Sequence, residues 1–429
     1  MKVFCLVRDH SFENFHILCQ NANFSEYYLI HEKIPSLHNE KSIILEPHIY
    51  KKRSAVNLDL INIIYRDRML RKISFVDAQR LVLNAIAQID YLLLTHKPDL
   101  IVGQLVDYYI LDIFYQLASK YKIKVFSFMC GFVDNTFCNS MYGEISPITS
   151  PKLNLIEHYN LKLQPQFVSS LDNRTFLKDI YIYIKSYVLY FIKFYKYKSL
   201  YKQYNHFIRC NIFSFYHSNV NYKSFSIYSF ERDLIFLSKF SRESLVYVPL
   251  HFYPEAVIDY WVKNLELINY EKVIFSLVKN NPSINFVFKE HPAMHRRREY
   301  KFYNKILSHP NALFVKRNLR SFEIFNHVDY VFTYNGTCGL EALFAQKKVI
   351  CVEKPFYYIS EMSCVNKFSD LFQFDFLMSR ASFPSFKSLI SLSKKLAPCL
   401  YPSWDIERIG KKELITFSKK FSQILKSYD

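Results

Sequence analysis

Short apolar runs alternate with amphipathic segments along most of the chain, and this alternation is typical of a parallel α/β sheet. In the C-terminal half the apolar runs predict buried strands at 245–248, 284–288, 312–315, 330–332 and 349–352. Helical spacing between these runs predicts helices at 256–267, 270–279, 321–326 and 339–345. Strands that alternate with helices in this way build βαβ units, whose functional loops follow the strand ends.

The N-terminal half shows the same alternation in fewer units. A strand is predicted at 3–7 and an amphipathic helix at 77–95. A strand at 99–102, a helix at 107–121 and a strand at 123–128 then form one clear βαβ unit. We therefore predict an α/β protein with two Rossmann-like doubly wound domains that face a central cleft.

The chain has 429 residues, which also favours two domains over one. We expect an N-terminal domain at 1–240 and a C-terminal domain at 241–400. A helical tail at 401–429 is expected to pack back onto them. Within the first domain, residues at about 150–240 are predicted to form a basic, aromatic, helical insertion.

This insertion is the most unusual part of the composition. Residues 176–208 are rich in Tyr, Phe, Ile and Lys, and Lys178, Lys185, Lys193 and Lys196 fall roughly on one helical side. Such a helix suits an anionic membrane surface, although an ordinary packed helix with snorkelling lysines has the same pattern. Its uncharged runs are too short to span a bilayer. No RNP-type, zinc or helix-turn-helix signature accompanies it, so we expect no nucleic-acid partner.

Charge and cysteine content indicate the kind of partner and the cellular compartment. Lys and Arg outnumber Asp and Glu by 56 to 38, a net charge of +18 that suggests an anionic partner. The nine cysteines form no CxxC pair and no metal-ligand spacing, as expected of reduced thiols in a cytosolic protein. The first apolar run is too short for a signal peptide. We therefore expect a cytoplasmic protein, peripheral on the inner membrane, that holds no metal.

Polar residues follow three of the C-terminal strands. A carboxylate follows the first, a Lys-Glu-His-Pro run the second, and an Asn-Gly-Thr turn before a short helix the third. The ends of parallel strands converge, so an imidazole, an ammonium group, a hydroxyl and helix N–H groups would surround one phosphate. The candidate binding residues are Glu255, Lys289, Glu290, His291, Pro292, Asn335, Gly336, Thr337, Cys338 and Glu341.

The Asn-Gly-Thr turn is the centre of this hypothesis. The chain contains only six glycines, and Gly336 and Gly339 both lie here. Gly336 is expected to take a positive φ or to let a ligand approach the backbone, and Thr337 to cap the helix or bind a phosphate. In the N-terminal half, polar loop residues after strands include Asp107, Asp134 and Glu144, although such carboxylates are more often helix caps.

The order of four segments, PLHFYPE, FKEHP, YNGTCGLEAL and KKVICVEKPFYY, resembles the C-terminal half of bacterial capsule and lipopolysaccharide glycosyltransferases. It is most similar to the retaining Kdo transferases of capsule synthesis. More broadly it resembles GT-B transferases that use CMP-activated acidic sugars, including sialyltransferases. The matching positions are Pro254-Glu255, His291-Pro292 and Gly336-Thr337, whereas Tyr253 stands where glutamine is usual. The resemblance covers residues 245–358.

This resemblance implies a GT-B fold that works without a metal or other cofactor. The donor would be a CMP-sugar carrying Kdo or a sialic-acid-like sugar, and the acceptor a glycan or lipid-linked glycan. His291 and Thr337 would contact the CMP phosphate, with His291 in a catalytic role, and Glu255 would lie near the nucleotide or the donor carboxylate. The base or nucleophile would come from the N-terminal domain, from Asp107, Asp134 or Glu144.

Three alternatives stay open at this point. The reaction could invert or retain the anomeric centre, since a carboxylate serves as base in one case and as nucleophile in the other. The donor could be a UDP- or GDP-hexose. The chain could also be a non-catalytic polysaccharide assembly or export protein that keeps the fold as a binding module.

Overall fold

The computed structural model describes residues 1–8, 11–32, 40–50, 54–148, 154–162, 231–294, 298–401 and 409–426, and the single residues 184, 185, 188, 192, 195 and 406. The chain forms two compact units. The described residues of 1–153 and 395–429 belong to the first, and those of 154–196 and 211–394 to the second. This division differs from the predicted one at 240/241 and 400/401, because 154–162 packs in the second unit and residues 395–401 belong to the first.

The first unit is built on a six-stranded sheet in the order β3-β2-β1-β4-β5-β6. The strands are β1 Lys2–Leu6, β2 Glu26–Glu32, β3 Ser42–Leu45, β4 Leu100–Gln104, β5 Lys124–Cys130 and β6 Phe137–Asn139. Every neighbouring pair is parallel except β5 and β6. The chain builds β1 to β3 on one side of the sheet and then returns to place β4 next to β1.

Five α-helices are described in the first unit: α1 Phe12–Asn21, α2 Leu60–Arg66, α3 Phe75–His96, α4 Tyr109–Lys120 and the C-terminal α14 Lys411–Lys426. The predicted helices at 77–95 and 107–121 correspond to α3 and α4. Helix α14 packs against α1. Its buried Phe421 contacts Phe126 and Phe128 of β5, with ring centroids 5.1 and 5.5 Å apart. The last helix thereby completes the core over the first unit's sheet.

The second unit is built on a parallel sheet of seven strands in the order β13-β12-β11-β8-β9-β10-β7. The strands are β7 Glu231–Arg232, β8 Leu245–Pro249, β9 Asn285–Lys289, β10 Ala312–Val315, β11 Tyr330–Thr333, β12 Lys348–Val352 and β13 Ser363–Val365. All five strands predicted from apolar runs are present. They are buried on both faces, as the continuous apolar runs require.

Nine described helices surround this sheet: α5 Leu155–Lys162, α6 Leu234–Leu237, α7 Ala256–Asp259, α8 Tyr270–Asn280, α9 Tyr300–Leu307, α10 Ser321–Phe325, α11 Thr337–Phe344, α12 Phe374–Arg380 and α13 Phe386–Leu396. Helix α5 packs on α11, where Tyr159 stacks on Phe344 with ring centroids 4.5 Å apart. The prediction of an α/β protein with two Rossmann-like, doubly wound domains is confirmed.

One predicted helix is wrong. Residues 256–267 form only the single turn α7 and a separate 3₁₀ turn at Leu265–Leu267. The carboxylate of Glu353, from the loop after β12, accepts hydrogen bonds from the backbone N–H groups of Lys263 and Asn264 at 2.7 and 2.8 Å. These two N–H groups therefore already have a partner in a distant side chain. In a continuous helix they would bond to helix carbonyls instead, and the hydrogen bonds to Glu353 would be lost.

The predicted membrane-binding helix at 176–208 lies almost wholly outside the described residues. Of its lysines only Lys185 is described, and it is exposed. Within the described ranges, no helix combines the length and the apolarity needed to cross a bilayer.

Candidate functional site

Three neighbouring strands of the second unit carry the predicted motifs at their carboxyl ends. Strands β11, β8 and β9 lie side by side, and the register pairs Pro249 of β8 with Lys289 of β9. Glu255 follows β8, His291 follows β9, and the turn at Gly336 follows β11. The convergence expected from the sequence is thus present in the sheet.

The order of the strands points to the same place. After β8 the chain adds β9 and β10 on one side, and it then crosses to the other side to add β11, β12 and β13. The gap between the ends of β8 and β11 is therefore the topological switch point of this sheet. In open α/β sheets, ligands bind in the crevice at such a point.

His251, two residues beyond β8, fills the base of this crevice. Its Nε2 accepts a hydrogen bond from the backbone N–H of Tyr334 at 3.2 Å, which assigns the ring proton to Nδ1. The hydroxyl of Thr333 lies 2.9 Å from the same nitrogen. Burial lowers the pKa of His251 to about 3, with smaller effects from His291 and Arg298. His251 is therefore neutral, and its hydrogen bond to Tyr334 links the end of β8 to the turn after β11.

Gly336 is needed because it lies against His251. A Cβ at this position would be 2.5 Å from Cε1 of the His251 ring. Its φ is −75°, an ordinary value for any residue, so the expected positive φ is wrong. The hydroxyl of Tyr357 donates to the Gly336 carbonyl at 2.8 Å and fastens the turn from the other side.

Helix α11 begins directly after this glycine. Gly336 occupies the N-cap position and no side chain caps the helix, so the expected capping role of Thr337 is wrong. Thr337 is instead exposed at the first helical position. The N–H groups of the first turn and the positive end of the helix dipole form an environment that favours an anion.

The remaining predicted residues of this turn have different surroundings. Asn335 is only 5% exposed, and its Oδ1 has no hydrogen-bond partner within the described part of the chain. Burial raises the pKa of the Cys338 thiol to about 12, so this cysteine is unreactive near neutral pH. Glu341 pairs with Lys162 of α5 at 3.6 Å and fastens α5 to α11.

The predicted Lys-Glu-His-Pro run follows β9. Lys289 is buried at the end of the strand, and Pro292 opens a 3₁₀ turn, Pro292–Met294. His291 packs its ring against Phe252 with centroids 6.0 Å apart. Burial lowers the pKa of His291 to about 4, with Glu290 acting in the opposite direction, so the imidazole is neutral at pH 7.

Glu290 points into the protein rather than towards the crevice. Its carboxylate accepts hydrogen bonds from Arg298 Nε at 2.8 Å, Tyr303 Oη at 2.6 Å and the His291 N–H at 2.6 Å. Burial, the largest single effect, raises the pKa of Glu290, but Arg298, Tyr303 and the His291 N–H together outweigh it and the pKa is lowered. The carboxylate is therefore ionised and held in place by its donors.

Sequence reasoning missed His251 and Arg298. A signal for His251 was present, because it follows β8 by two residues just as His291 follows β9, and the two strands are neighbours. Arg298 lies in a basic run, His295 to Arg298, in which no residue stands out. Its burial, with 3% exposure, and its pairing with Glu290 are seen only in the structure.

The first unit has a corresponding switch point between β1 and β4. Arg8 follows β1 and Asp107 follows β4, and the two form a bidentate ion pair in which Nη1 lies 2.7 Å from Oδ2. The guanidinium carbon of Arg8 also lies 4.8 Å from the ring centre of Tyr108. Asp107 is thus at the position where an α/β unit places functional groups, with a cation as its partner.

The other two predicted carboxylates of this unit are placed differently. Asp134 is exposed in the turn between β5 and β6. Glu144 accepts hydrogen bonds from the backbone N–H groups of Met141 and Tyr142, both at 2.9 Å, and so stabilises its own loop. Within the described ranges, no group of three His, Cys, Asp or Glu side chains is arranged to hold a metal ion.

Comparison with known proteins adds the biological setting. Residues 173–370 match the family model of the capsule polysaccharide biosynthesis proteins. Protein FixF of Sinorhizobium fredii (strain NBRC 101917 / NGR234) is 31% identical over 102 residues. That alignment covers 24% of this chain and 24% of FixF, so the chain matches only about a quarter of this relative.

Solved structures give distant likenesses. The β-Kdo 2,7-transferase KpsC of Thermosulfurimonas dismutans is 13% identical, with 79% of this chain and 89% of that chain covered and a TM-score of 0.34. The UDP-GlcNAc 2-epimerase of Neisseria meningitidis is 12% identical, with 99% and 100% covered and a TM-score of 0.29. TM-scores this low establish no common activity. The family model spans residues 245–358, on which the predicted resemblance to capsule glycosyltransferases depends, and it confirms the likeness to capsule polysaccharide biosynthesis proteins over residues 173–370.

Proposed function

We propose that the protein is a glycosyltransferase of surface polysaccharide synthesis, in the capsule or in lipopolysaccharide. It transfers a 3-deoxy-ulosonic acid, Kdo or a sialic-acid-like sugar, from a CMP-sugar to a glycan or lipid-linked glycan. The family match supports the role in capsule polysaccharide synthesis. The observation that carries the enzymatic part is the meeting of His251, His291 and the α11 N-terminus at the switch point of the second unit.

This arrangement suits the monophosphate of a CMP-sugar. The N–H groups and hydroxyl at the start of α11 offer donors to phosphate oxygens, and the helix dipole adds positive potential. His291 is neutral at pH 7 and offers one ring N–H as a further donor. Fixed donors of this kind stabilise the charge that grows on the leaving phosphate as the glycosidic bond breaks. Because these donors can stabilise the charge of a single phosphate, we propose that the reaction needs no metal ion.

The acceptor would be activated by a carboxylate of the first unit. Asp107 is our first candidate because it lies at that unit's switch point. Asp134 follows because it is exposed, and Glu144 comes last because its oxygens already accept two backbone N–H groups. Such a carboxylate would act as a general base in an inverting reaction and as a nucleophile in a retaining one.

A nucleotide-sugar screen with the purified protein tests the proposal. Thermal stabilisation by CMP, and transfer from CMP-Kdo or CMP-sialic acid, are expected. Stabilisation by UDP or GDP instead would point to a hexose transferase. CMP binding without transfer or donor hydrolysis would favour a non-catalytic assembly or export protein. Transfer that stops with EDTA and returns with added Mg²⁺ would contradict the metal-independent reaction.

A variant pair tests the role of His291. His291→Ala is expected to abolish transfer while the far-UV circular dichroism spectrum stays unchanged. His309→Ala, in the loop before β10 of the same unit, is the matched control and is expected to keep full activity. Wild-type turnover in His291→Ala would remove this residue from the mechanism.

We also propose that the protein works in the cytoplasm, peripherally on the anionic inner membrane. The net charge of +18 and the basic aromatic segment at 176–208 support this. Co-sedimentation with vesicles of neutral lipid, and of neutral lipid mixed with phosphatidylglycerol, tests it. Equal binding to both kinds of vesicle, or binding to neither, would contradict the proposal.

A further inference from the structure

A buried ion pair lies directly behind the candidate site. Arg298, in the segment before α9, is 3% exposed, and Glu290 is 8% exposed. The guanidinium Nε donates to one carboxylate oxygen at 2.8 Å and Nη2 donates to the other at 3.2 Å. Two nearly parallel hydrogen bonds of this kind fix the orientation of both groups, which a single point charge cannot do.

Each partner of this pair also holds the backbone after a different strand. Nη2 of Arg298 donates to the carbonyl of His251, after β8, at 2.6 Å. The carboxylate of Glu290 accepts the N–H of His291, after β9, at 2.6 Å. The peptide groups of both histidines are thus attached to one rigid ionic unit.

Two aromatic rings and a tyrosine hydroxyl surround the ion pair and hold it in place. The guanidinium carbon lies 5.5 Å from the ring centre of Tyr270 and 4.8 Å from that of Phe302. Tyr303 of α9 donates its hydroxyl to Glu290 at 2.6 Å. In such an apolar setting, a charged pair that keeps its hydrogen bonds is costly to disturb, because either charge alone would be buried without compensation.

We propose that Arg298 is a positioning residue, which acts through Glu290 and the His251 carbonyl to set the spacing of the two histidine segments around the donor phosphate. The inference rests on the proposed function. Arg298 itself touches no substrate in this mechanism. Its guanidinium holds the two loops at the separation that the phosphate requires, so that binding does not have to order them.

Arg298→Lys tests this idea, because lysine keeps the charge but cannot bond to both oxygens and the carbonyl at once. The dissociation constant of CMP, measured by calorimetry well below the melting temperature, is expected to rise about tenfold or more for the loss of one charge-assisted hydrogen bond. Tyr303→Phe removes only a hydroxyl behind the pair, and a smaller rise is expected. Arg320→Met, which breaks the partly exposed pair with Glu323 on α10, is the matched control and should leave CMP binding unchanged.

A second measurement needs no ligand. Isotope-labelled histidine resonances of His251 and His291 are expected to shift in Arg298→Lys and to stay in place in Arg320→Met. If Arg298 only stabilised the fold, Arg298→Lys would melt earlier but keep the wild-type CMP affinity and histidine resonances, and the inference would be overturned. If the wild type binds no CMP, the proposed function fails, and the histidine resonances alone decide whether Arg298 positions the two segments.

Discussion

Replacing Gly336 by alanine tests the packing at the centre of the candidate site. The added methyl group would be 2.5 Å from Cε1 and 3.3 Å from Nε2 of the His251 ring. The backbone itself accepts alanine, because φ is −75° and ψ is 158°. Any destabilisation must therefore come from the contact with His251 and not from the backbone conformation.

The size of the effect follows from two opposing contributions. Overpacking a buried contact typically costs about 1–3 kcal/mol. Removing a glycine from the unfolded chain returns about 0.4–1 kcal/mol. We therefore expect the free energy of unfolding of the second unit to fall by about 1–2 kcal/mol. For a unit of this size, the melting temperature should then fall by about 2–8 °C.

A double-mutant cycle assigns this cost to the histidine. Chemical unfolding is measured for the wild type, Gly336→Ala, His251→Ala and the double variant. His251→Ala removes the ring that the methyl group would strike, so adding Gly336→Ala to it should leave only the unfolded-chain effect, a stabilisation of about 0.4–1 kcal/mol. The coupling free energy between the two positions is expected to equal the overpacking cost, about 1–3 kcal/mol, whereas independent sites would add within about 0.5 kcal/mol.

Gly410→Ala is the matched control for this series. A Cβ at Gly410 would meet the end of the flexible Glu413 side chain, which can move away, so little change in stability is expected. Additive effects of Gly336→Ala and His251→Ala, or a Gly336→Ala variant as stable as wild type, would refute the view that His251 is the reason for this glycine. CMP affinity should fall in Gly336→Ala as well, since the His251 ring supports the turn that precedes α11.

The other predictions concern pH, a buried carboxylate and catalysis. Because the pKa of His251 is about 3 in the folded protein and 6.5 when unfolded, the unfolded chain takes up the proton first. The stability that neutral His251 contributes is complete above about pH 6.5 and is lost as the pH falls towards 3. The free energy of unfolding in urea should therefore fall between pH 7 and pH 5 by about 2 kcal/mol more in wild type than in His251→Asn. Asp67→Asn should cost about 2 kcal/mol in chemical unfolding, because this fully buried carboxylate accepts three backbone N–H groups, including that of Tyr109. Asp107→Asn should lower kcat by about 100-fold or more with the dissociation constant of CMP unchanged, if the rate is limited by acceptor activation; a wild-type kcat would exclude Asp107 as the base.

The amino-acid sequence by itself determined five of the seven strands of the second unit and the order of its motifs. These strands are buried on both faces, so each is a continuous apolar run that needs no knowledge of its neighbours. Parallel strands joined by helices must end at one edge, and this rule predicts from the sequence alone that His291 and Gly336 lie near each other.

Only the tertiary structure decided how these groups are supported. The scarcity of glycine drew attention to Gly336 in the sequence. A glycine is required there because of the ring of His251, which lies 85 positions earlier in the chain. In the sequence Arg298 is one member of a basic run, and its burial beside Glu290 is seen only in the structure. The local pattern of apolar and polar residues indicates which residues are buried and whether they form a helix or a strand. Close contacts between strand ends depend instead on which strands are neighbours in the fold. That choice is made by the packing of the whole unit.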